Sequence, residues 1–459
     1  MHLGGSFVSL YSNMMKKKLL IAVLILIHGT SYAQQNWTLK SCIEYGLKNH
    51  RSNVIYANEK KAADAKAREA LAAYLPGVNI TGSIDDNLKV QETVIPAGIF
   101  SEHDIRVAFT KKFNTNPMAQ LDQTIFDQSL LTGLKANKYN KASADLNIQQ
   151  NHETIIYNIS NAFAQIFVYR EQLSLLHTNL DNYHGQMDIT SLQVNKGTVL
   201  QKELDKVTVD YNNTVSKIHV AESNLTLSYN QLKYEMGYPL TDTITVDSTE
   251  AAKAFNSLAI AAPDASTFAA ANRIDFRISQ VNEKLLAIDE QRLRNGIYPR
   301  LTAYARYGAV GYGDNLNESF KSLATYSAVG IKLSIPILDF YKRNAQSSQA
   351  RYKHLNAIEQ LKIDEGKYAL EYQNARTKVI QEQGNMDNNR RNIELAQSVF
   401  TTTNLQYQKG TTDMTDWLNA QNSLKEAQNN YLSSIYNFFL ARIDLEKAGG
   451  SLKTFYLAL

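Results

Sequence analysis

The sequence predicts an α+β membrane protein assembled from two copies of one unit, each a strand hairpin followed by a pair of long helices. Three observations carry this reading. The amino terminus has the form of an export segment, and no later stretch is apolar enough to span a bilayer as a helix. Seven prolines gather around short alternating segments and leave long proline-free stretches between them. An internal repeat can be followed residue by residue.

Met14-Met15-Lys16-Lys17-Lys18 is followed by the apolar run Leu19 to Ile27 and then by Ser31-Tyr32-Ala33. A basic start, a short apolar run and a small-x-small site define a secretory signal peptide, and the run is too short to span. Residues 1–33 are expected to be removed by cleavage after Ala33, with 1–13 lying upstream of the true start. If the remaining chain enters a membrane, it must do so as a β-barrel. The lone cysteine, Cys42, has no partner for an internal disulfide and no apolar segment directly before it for lipid attachment, and reads as a buried thiol. The 48 basic and 44 acidic residues are interspersed, which argues against a nucleic-acid partner.

The prolines are Pro76, Pro96, Pro117, Pro239, Pro263, Pro299 and Pro336. Proline interrupts helix interiors, so the proline-free stretches predict long helices at 127–195, 198–236, 339–408 and 411–448. Near the prolines the period changes to two. Val329, Ile331, Leu333, Ile335 and Ile337 alternate with small and polar residues, as do Leu301, Ala303, Ala305, Tyr307 and Ala309. These, with Val78 to Thr81 and Leu121 to Phe126, read as strands of two hairpins at about 76–126 and 299–338. Gln91 to His103 and Gly313 to Lys321 read as their exposed loops. Four strands cannot close a barrel alone, so in a membrane other subunits must complete them. Tyr304, Tyr307, Tyr312 and Tyr326 are the best-placed candidates for an interfacial girdle.

The repeat is explicit. Leu75-Pro76 matches Tyr298-Pro299 at an offset of 223; beyond the hairpin, Asn195-Lys196-Gly197-Thr198 matches Gln408-Lys409-Gly410-Thr411 at 213. The first hairpin therefore carries about eleven extra residues, the kind of variation loops tolerate. The predicted organisation is a first repeat at 34–240, a linker at 241–262, a second repeat at 263–450 and a tail at 451–459.

Trp417, Leu424, Tyr431, Phe438 and Leu445 recur every seven residues, with Ala420, Ala427, Ser434, Ala441 and Ala448 three positions on. The first unit answers with Leu204, Tyr211, Ile218, Leu225 and Leu232. This is the coiled-coil period and calls for lateral packing against long neighbouring helices. A polar column accompanies it: Asp416, Ser423, Asn430, Asn437 and Asp444, answered by Glu203, Asp210, Lys217, Asn224 and Gln231. Such a column is either an outer solvated face or the lining of a lumen.

These residues resemble the TolC-like outer-membrane efflux proteins over nearly all of the mature chain, from Trp37-Thr38-Leu39 to Ala448-Gly449-Gly450. The most specific part runs from Tyr407-Gln408-Lys409-Gly410-Thr411 through Asp416-Trp417-Leu418-Asn419-Ala420-Gln421, followed by Leu424, Ala427, Gln428 and Tyr431. The resemblance implies a homotrimer in the cell outer membrane. Each subunit would give four strands to one twelve-stranded barrel in outer-membrane lipid, continued by a long α-helical coiled-coil tube extending into the periplasm. It implies a passive exit duct that docks to a periplasmic adaptor and an inner-membrane efflux transporter. The turns Lys196-Gly197-Thr198 and Lys409-Gly410-Thr411 would be the tips that meet the adaptor. By position, Tyr407 and Asp416 match a gating tyrosine and a ring aspartate, and Glu203 an acidic gate partner. Asn419 stands in place of a second ring aspartate. Thr412 stands in place of a gating arginine, so no bidentate Arg–carboxylate link forms there.

The sequence offers no catalytic residue, metal-ligand set or cofactor motif: nine histidines are scattered, and neither a Walker loop nor a Gly-x-Ser-x-Gly elbow is present. His177 and His184 read as surface imidazoles. The rival reading is a secreted coiled-coil scaffold without a pore, which accounts for the heptads but not for the duplicated alternating segments. Within the channel class, drug or metal efflux and type I protein secretion remain open.

Overall fold

A computed structural model describes residues 36–99, 102–247 and 268–458. The signal segment, and the part of the linker from 248 onward, lie outside the described residues. In chain order the elements are β1 (Asn36–Trp37), α1 (Leu39–Asn49), α2 (Arg51–Ala72), β2 (Gly77–Asp86), β3 (Glu92–Ile95), β4 (Ile105–Ala108), β5 (Phe113–Phe126), α3 (Gln128–Leu134), α4 (Ala136–Asn195), α5 (Gln201–Met236), β6 (Thr245–Val246), α6 (Ile274–Arg294), β7 (Arg300–Gly313), α7 (Leu316–Lys321), β8 (Ala324–Ser334), α8 (Lys342–Gln408), α9 (Met414–Gly449) and α10 (Leu452–Ala458). At 1.5 Å per residue, the 60-residue α4 is about 90 Å long and the 67-residue α8 about 100 Å.

Several boundaries differ from the sequence-based ones, each for a local reason. The helix expected over 127–195 is interrupted at Lys135, whose N–H turns back to the Thr132 carbonyl at 3.1 Å. Beside the interruption, Gly133 leaves room for the Arg292 chain, which would stand 3.2 Å from an added β-carbon. α5 and α9 begin at Gln201 and Met414, three residues later than expected, because Thr198 and Thr411 still belong to the turns that close the preceding helices. α8 begins at Lys342, after Phe340, whose φ of 48° lies in the left-handed region and breaks the path from strand to helix. The expected tail is instead α10, with Leu452 and Phe455 in a hydrophobic core. In the linker, β6 pairs in parallel with β1. The expected loop at 91–103 opens the small hairpin β3–β4, whose second strand runs beyond it to Ala108 and which accounts for the extra residues of the first unit; that at 313–321 contains α7.

The chain divides into two compact units. One comprises 52–151 and 269–370 and contains an antiparallel sheet ordered β2-β5-β7-β8, so that β2 and β8 are its edges. Directly paired residues share a face, and the register sorts the side chains cleanly. On one face lie Val78, Ile80, Ala119, Leu121, Ala305, Tyr307, Val329 and Ile331. On the other lie Asn79, Thr81, Gln120, Asp122, Arg306, Tyr326 and Lys332. The apolar face is bare, with Ile80 at 83 %, Val329 at 85 % and Ile331 at 70 % exposure. Of the four tyrosines proposed for a girdle, only Tyr307 lies on this face. Tyr304 and Tyr326 point the other way and lie across Gly330 and Gly308 of the neighbouring strands. Both glycines leave space that the rings occupy.

The described residues of the other unit, 152–268 and 371–459 with the amino-terminal segment to Arg51, have helices as their regular elements apart from β1 and β6. Thr38 and Ser41 form a reciprocal capping box at the start of α1. Gly46 lets α1 close onto α4, since a β-carbon there would stand 2.4 Å from Ile159 Cδ1. Cys42 is fully buried in this core, and loss of solvation pushes its thiol pKa up, which makes it inert. In α9 the large heptad column is buried at Trp417, Leu424, Phe438 and Leu445, whereas Asp416, Ser423, Asn430, Asn437 and Asp444 are all exposed.

Candidate functional site: helix turns and polar column

The two glycine turns are built identically. Gly197 and Gly410 have φ of 71° and 73°, the left-handed conformation that costs glycine nothing. Gly197 N–H donates to Val194 O at 2.9 Å and Thr198 N–H to Gln193 O at 3.0 Å; Gly410 N–H donates to Tyr407 O at 2.9 Å and Thr411 N–H to Gln406 O at 3.0 Å. This is the Schellman pattern, which satisfies carbonyls orphaned at a helix end. Each threonine also uses its hydroxyl on the same carbonyl, at 2.9 Å for Thr198 and 3.0 Å for Thr411. Nothing stands within 4 Å of a β-carbon at either glycine, and Lys196 and Lys409 are exposed beside them. The turns are thus rigid in backbone and open in surface.

Beyond the second turn, Asp413 caps α9 by accepting from Asp416 N–H at 3.0 Å. Leu200 at the corresponding start of α5 has no side-chain cap. Thr412 Oγ1 donates to Asp416 Oδ2 at 2.6 Å, a bond made within one chain that adds no charge. Asn419 lies one turn further along, exposed. Tyr407, by contrast, is buried and donates through its hydroxyl to Gln193 Oε1 at 3.0 Å, tying the end of α8 to the end of α4. Glu203 does not join Asp416: it is held by Lys206 at 3.0 Å and more loosely by Lys202 at 3.9 Å. The acidic positions named from sequence therefore divide into Asp416, which has no cation in ion-pair range among the described residues, and Glu203, which is already paired.

Sequence reasoning missed what positions this region. Trp417 donates Nε1–H to Asn404 Oδ1 at 2.8 Å and packs edge-on to Tyr183 and Phe400. Further along, Asn179 is buried between Gln421 and Gln428. The two glutamines are seven residues apart, and that spacing was the available signal. The polar column is not uniformly acidic. Lys217 and Lys425 line a groove of about 560 Å³ with Gln165, Tyr169, Asn224 and Tyr436. Partial burial and the neighbouring Lys217 charge push the Lys425 pKa down.

Comparison with known proteins agrees with this architecture. The family model described as "Outer membrane efflux protein" matches residues 55–237 and 253–451. Outer membrane protein TolC of Salmonella enteritidis is 22 % identical over 447 residues, covering 95 % of this chain and 87 % of that protein. Among solved structures, the CusC channel superposes with a TM-score of 0.72 at 16 % identity, covering 91 % of this chain and 95 % of that one. The outer membrane protein VceC of Vibrio cholerae gives 0.69 at 17 % identity, with 90 % and 96 % covered. With a bare apolar sheet face, duplicated helix turns and a family match over most of its length, the chain is an outer-membrane protein and belongs to the outer membrane efflux protein family.

Proposed function

We propose that three copies of this chain form the outer-membrane exit duct of a tripartite efflux assembly. The observation that carries this reading is the four-stranded sheet, which is apolar and bare on one face, polar on the other, and open at both edges. In lipid an open edge leaves backbone N–H and C=O groups unsatisfied. Pairing β8 of one copy with β2 of the next removes both edges and closes twelve strands, with the apolar face toward lipid and Asn79, Gln120, Asp122, Arg306 and Lys332 toward water. The helices carry the duct into the periplasm, and the polar column of α9 lines it near its entrance.

In this reading the turns at Lys196-Gly197-Thr198 and Lys409-Gly410-Thr411 dock a periplasmic adaptor, which links the duct to an energised inner-membrane transporter. Tyr407 and Gln193 hold the entrance helices together, while Asp416 presents the ring charge with Thr412 and Asn419 beside it. The duct is passive. The test is migration of the purified protein in detergent, together with conductance in a planar bilayer. A heat-modifiable trimer that conducts is expected; a soluble, non-conducting monomer overturns the reading in favour of a scaffold.

A further inference from the structure

His354, on α8, lies between two carboxylates of α6. Its Nδ1 is 2.7 Å from Glu290 Oε2 and its Nε2 is 3.0 Å from Glu283 Oε1. All three side chains are mostly enclosed, at 20 %, 15 % and 10 % exposure. A neutral imidazole donates from one nitrogen only, so it can satisfy only one of these carboxylates; the imidazolium satisfies both. The two glutamates approach opposite edges of the ring and do not converge on one point, which excludes a shared metal ion.

The charges around this bracket are defined. Lys284 holds the other oxygen of Glu283 at 3.0 Å, and Arg294 lies 3.9 Å from Glu290 Oε1. Arg351 and Lys353 flank the histidine in sequence on α8 and are exposed. The hydrogen bond to Glu290 pushes the His354 pKa up; burial opposes this, and the bond to Glu283 adds to the rise. Burial works to raise the Glu283 pKa, but the bonds from Lys284 and His354 outweigh it and hold the carboxyl below its ordinary range.

The first repeat supplies a comparison within the same chain. The offset of 213 places Lys141 at the position of His354. There α2 is joined to α4 by Lys141–Asp64 at 2.9 Å and Lys60–Asp145 at 2.6 Å. The equivalent helix pairs are thus held by lysine in one repeat and by a titratable imidazole in the other.

We propose that His354 is a pH-operated clasp, holding α6 to α8 while protonated and releasing one glutamate when neutral, so that the second repeat loosens with rising pH while the first does not. The sign follows from linkage. A histidine whose folded pKa is raised contributes its stability fully below the unfolded value, about 6.5, and loses it as pH rises through the folded value. The proposal does not depend on the chain acting as a duct.

Hydrogen exchange of the full-length protein in detergent, corrected for the intrinsic pH dependence, tests it in peptides covering 274–294 and 51–72. Protection of 274–294 is expected to fall by roughly ten-fold or more between pH 6 and pH 9, the size of a lost charge-assisted bond, with 51–72 unchanged. In His354→Gln, protection of 274–294 should be low at both pH values. In His354→Lys, which restores the first repeat's residue type, it should stay high at both. Equal protection across pH in the unmodified protein, or an undiminished pH response in His354→Gln, overturns the clasp. Should His354→Gln fail to fold, the unmodified protein and His354→Lys decide the matter.

Discussion

Asn179 Oδ1 accepts a 2.9 Å hydrogen bond from Gln421 Nε2 inside the helical core, where the two residues are 2 % and 0 % exposed. The Asn179 amide then donates to Gln428 Oε1, also at 2.9 Å, so one asparagine of α4 joins two successive heptad positions of α9. A polar layer of this kind fixes helix register in a coiled coil at some cost in stability. Asn179→Leu strands both glutamines and is expected to destabilise by about 2–4 kcal/mol, since each buried unpaired amide costs about 1–3 kcal/mol. Replacing Asn179, Gln421 and Gln428 together by leucine removes the orphaned groups and should recover much of that loss. Thermal unfolding in detergent measures both; a triple variant as unstable as the single one refutes the ladder as the cause.

Asp416 and Glu203 are expected to contribute unequally to ion selectivity. Asp416 is bonded by the uncharged Thr412 hydroxyl, whereas Glu203 is already neutralised by Lys206. Asp416→Asn should therefore shift the reversal potential in a salt gradient toward loss of cation preference, and Glu203→Gln should shift it little. Selectivity unchanged in the double variant would dispose of the acidic ring altogether.

The parts of this molecule legible in the sequence were those governed by period. Alternation at Val329 to Leu333 gave the strand face, although the strand stops at Ser334 and leaves Ile335 and Ile337 outside it; the seven-residue column of α9 gave its buried side, and Lys-Gly-Thr gave the turns. The illegible parts depend on contacts remote in sequence. The Thr412–Asp416 and Glu203–Lys206 contacts are local in sequence, but the bond from Tyr407 to Gln193 is decided by packing between helices. Similarly, period two places Tyr304 and Tyr326 on one face but does not say which face lies toward lipid. Gly330 and Gly308 decide where the rings rest, and they come from the opposite strands.

The glycine turns allow a separation of fold from docking. Gly410→Ala meets no atom within 4 Å, so its cost is the left-handed backbone alone, about 1–2 kcal/mol. In the docking proposed above, the exposed lysines carry the contact surface instead. Lys196→Glu with Lys409→Glu is expected to leave trimer migration and conductance intact and to abolish co-purification of the adaptor. Retained co-purification would move the docking surface away from the turns.

The sharpest test of the lipid-facing assignment uses two adjacent residues of β2. Ile80 pairs with Ala119 on the apolar face and is 83 % exposed; Thr81 pairs with Met118 on the polar face and is also exposed. On a water-soluble scaffold a lysine at either position is a surface substitution, and both should be nearly neutral. In a barrel the two differ in kind. Ile80→Lys places an ammonium against hydrocarbon, at a cost of about 2–4 kcal/mol per subunit near the bilayer midplane, whereas Thr81→Lys extends into water. Ile80→Lys is therefore expected to cut the yield of heat-modifiable trimer in membranes sharply. Thr81→Lys should keep that yield and instead lower cation conductance through the added charge. Equal yields from the two variants would mean that this face of the sheet does not meet lipid, and the barrel reading would fall with it.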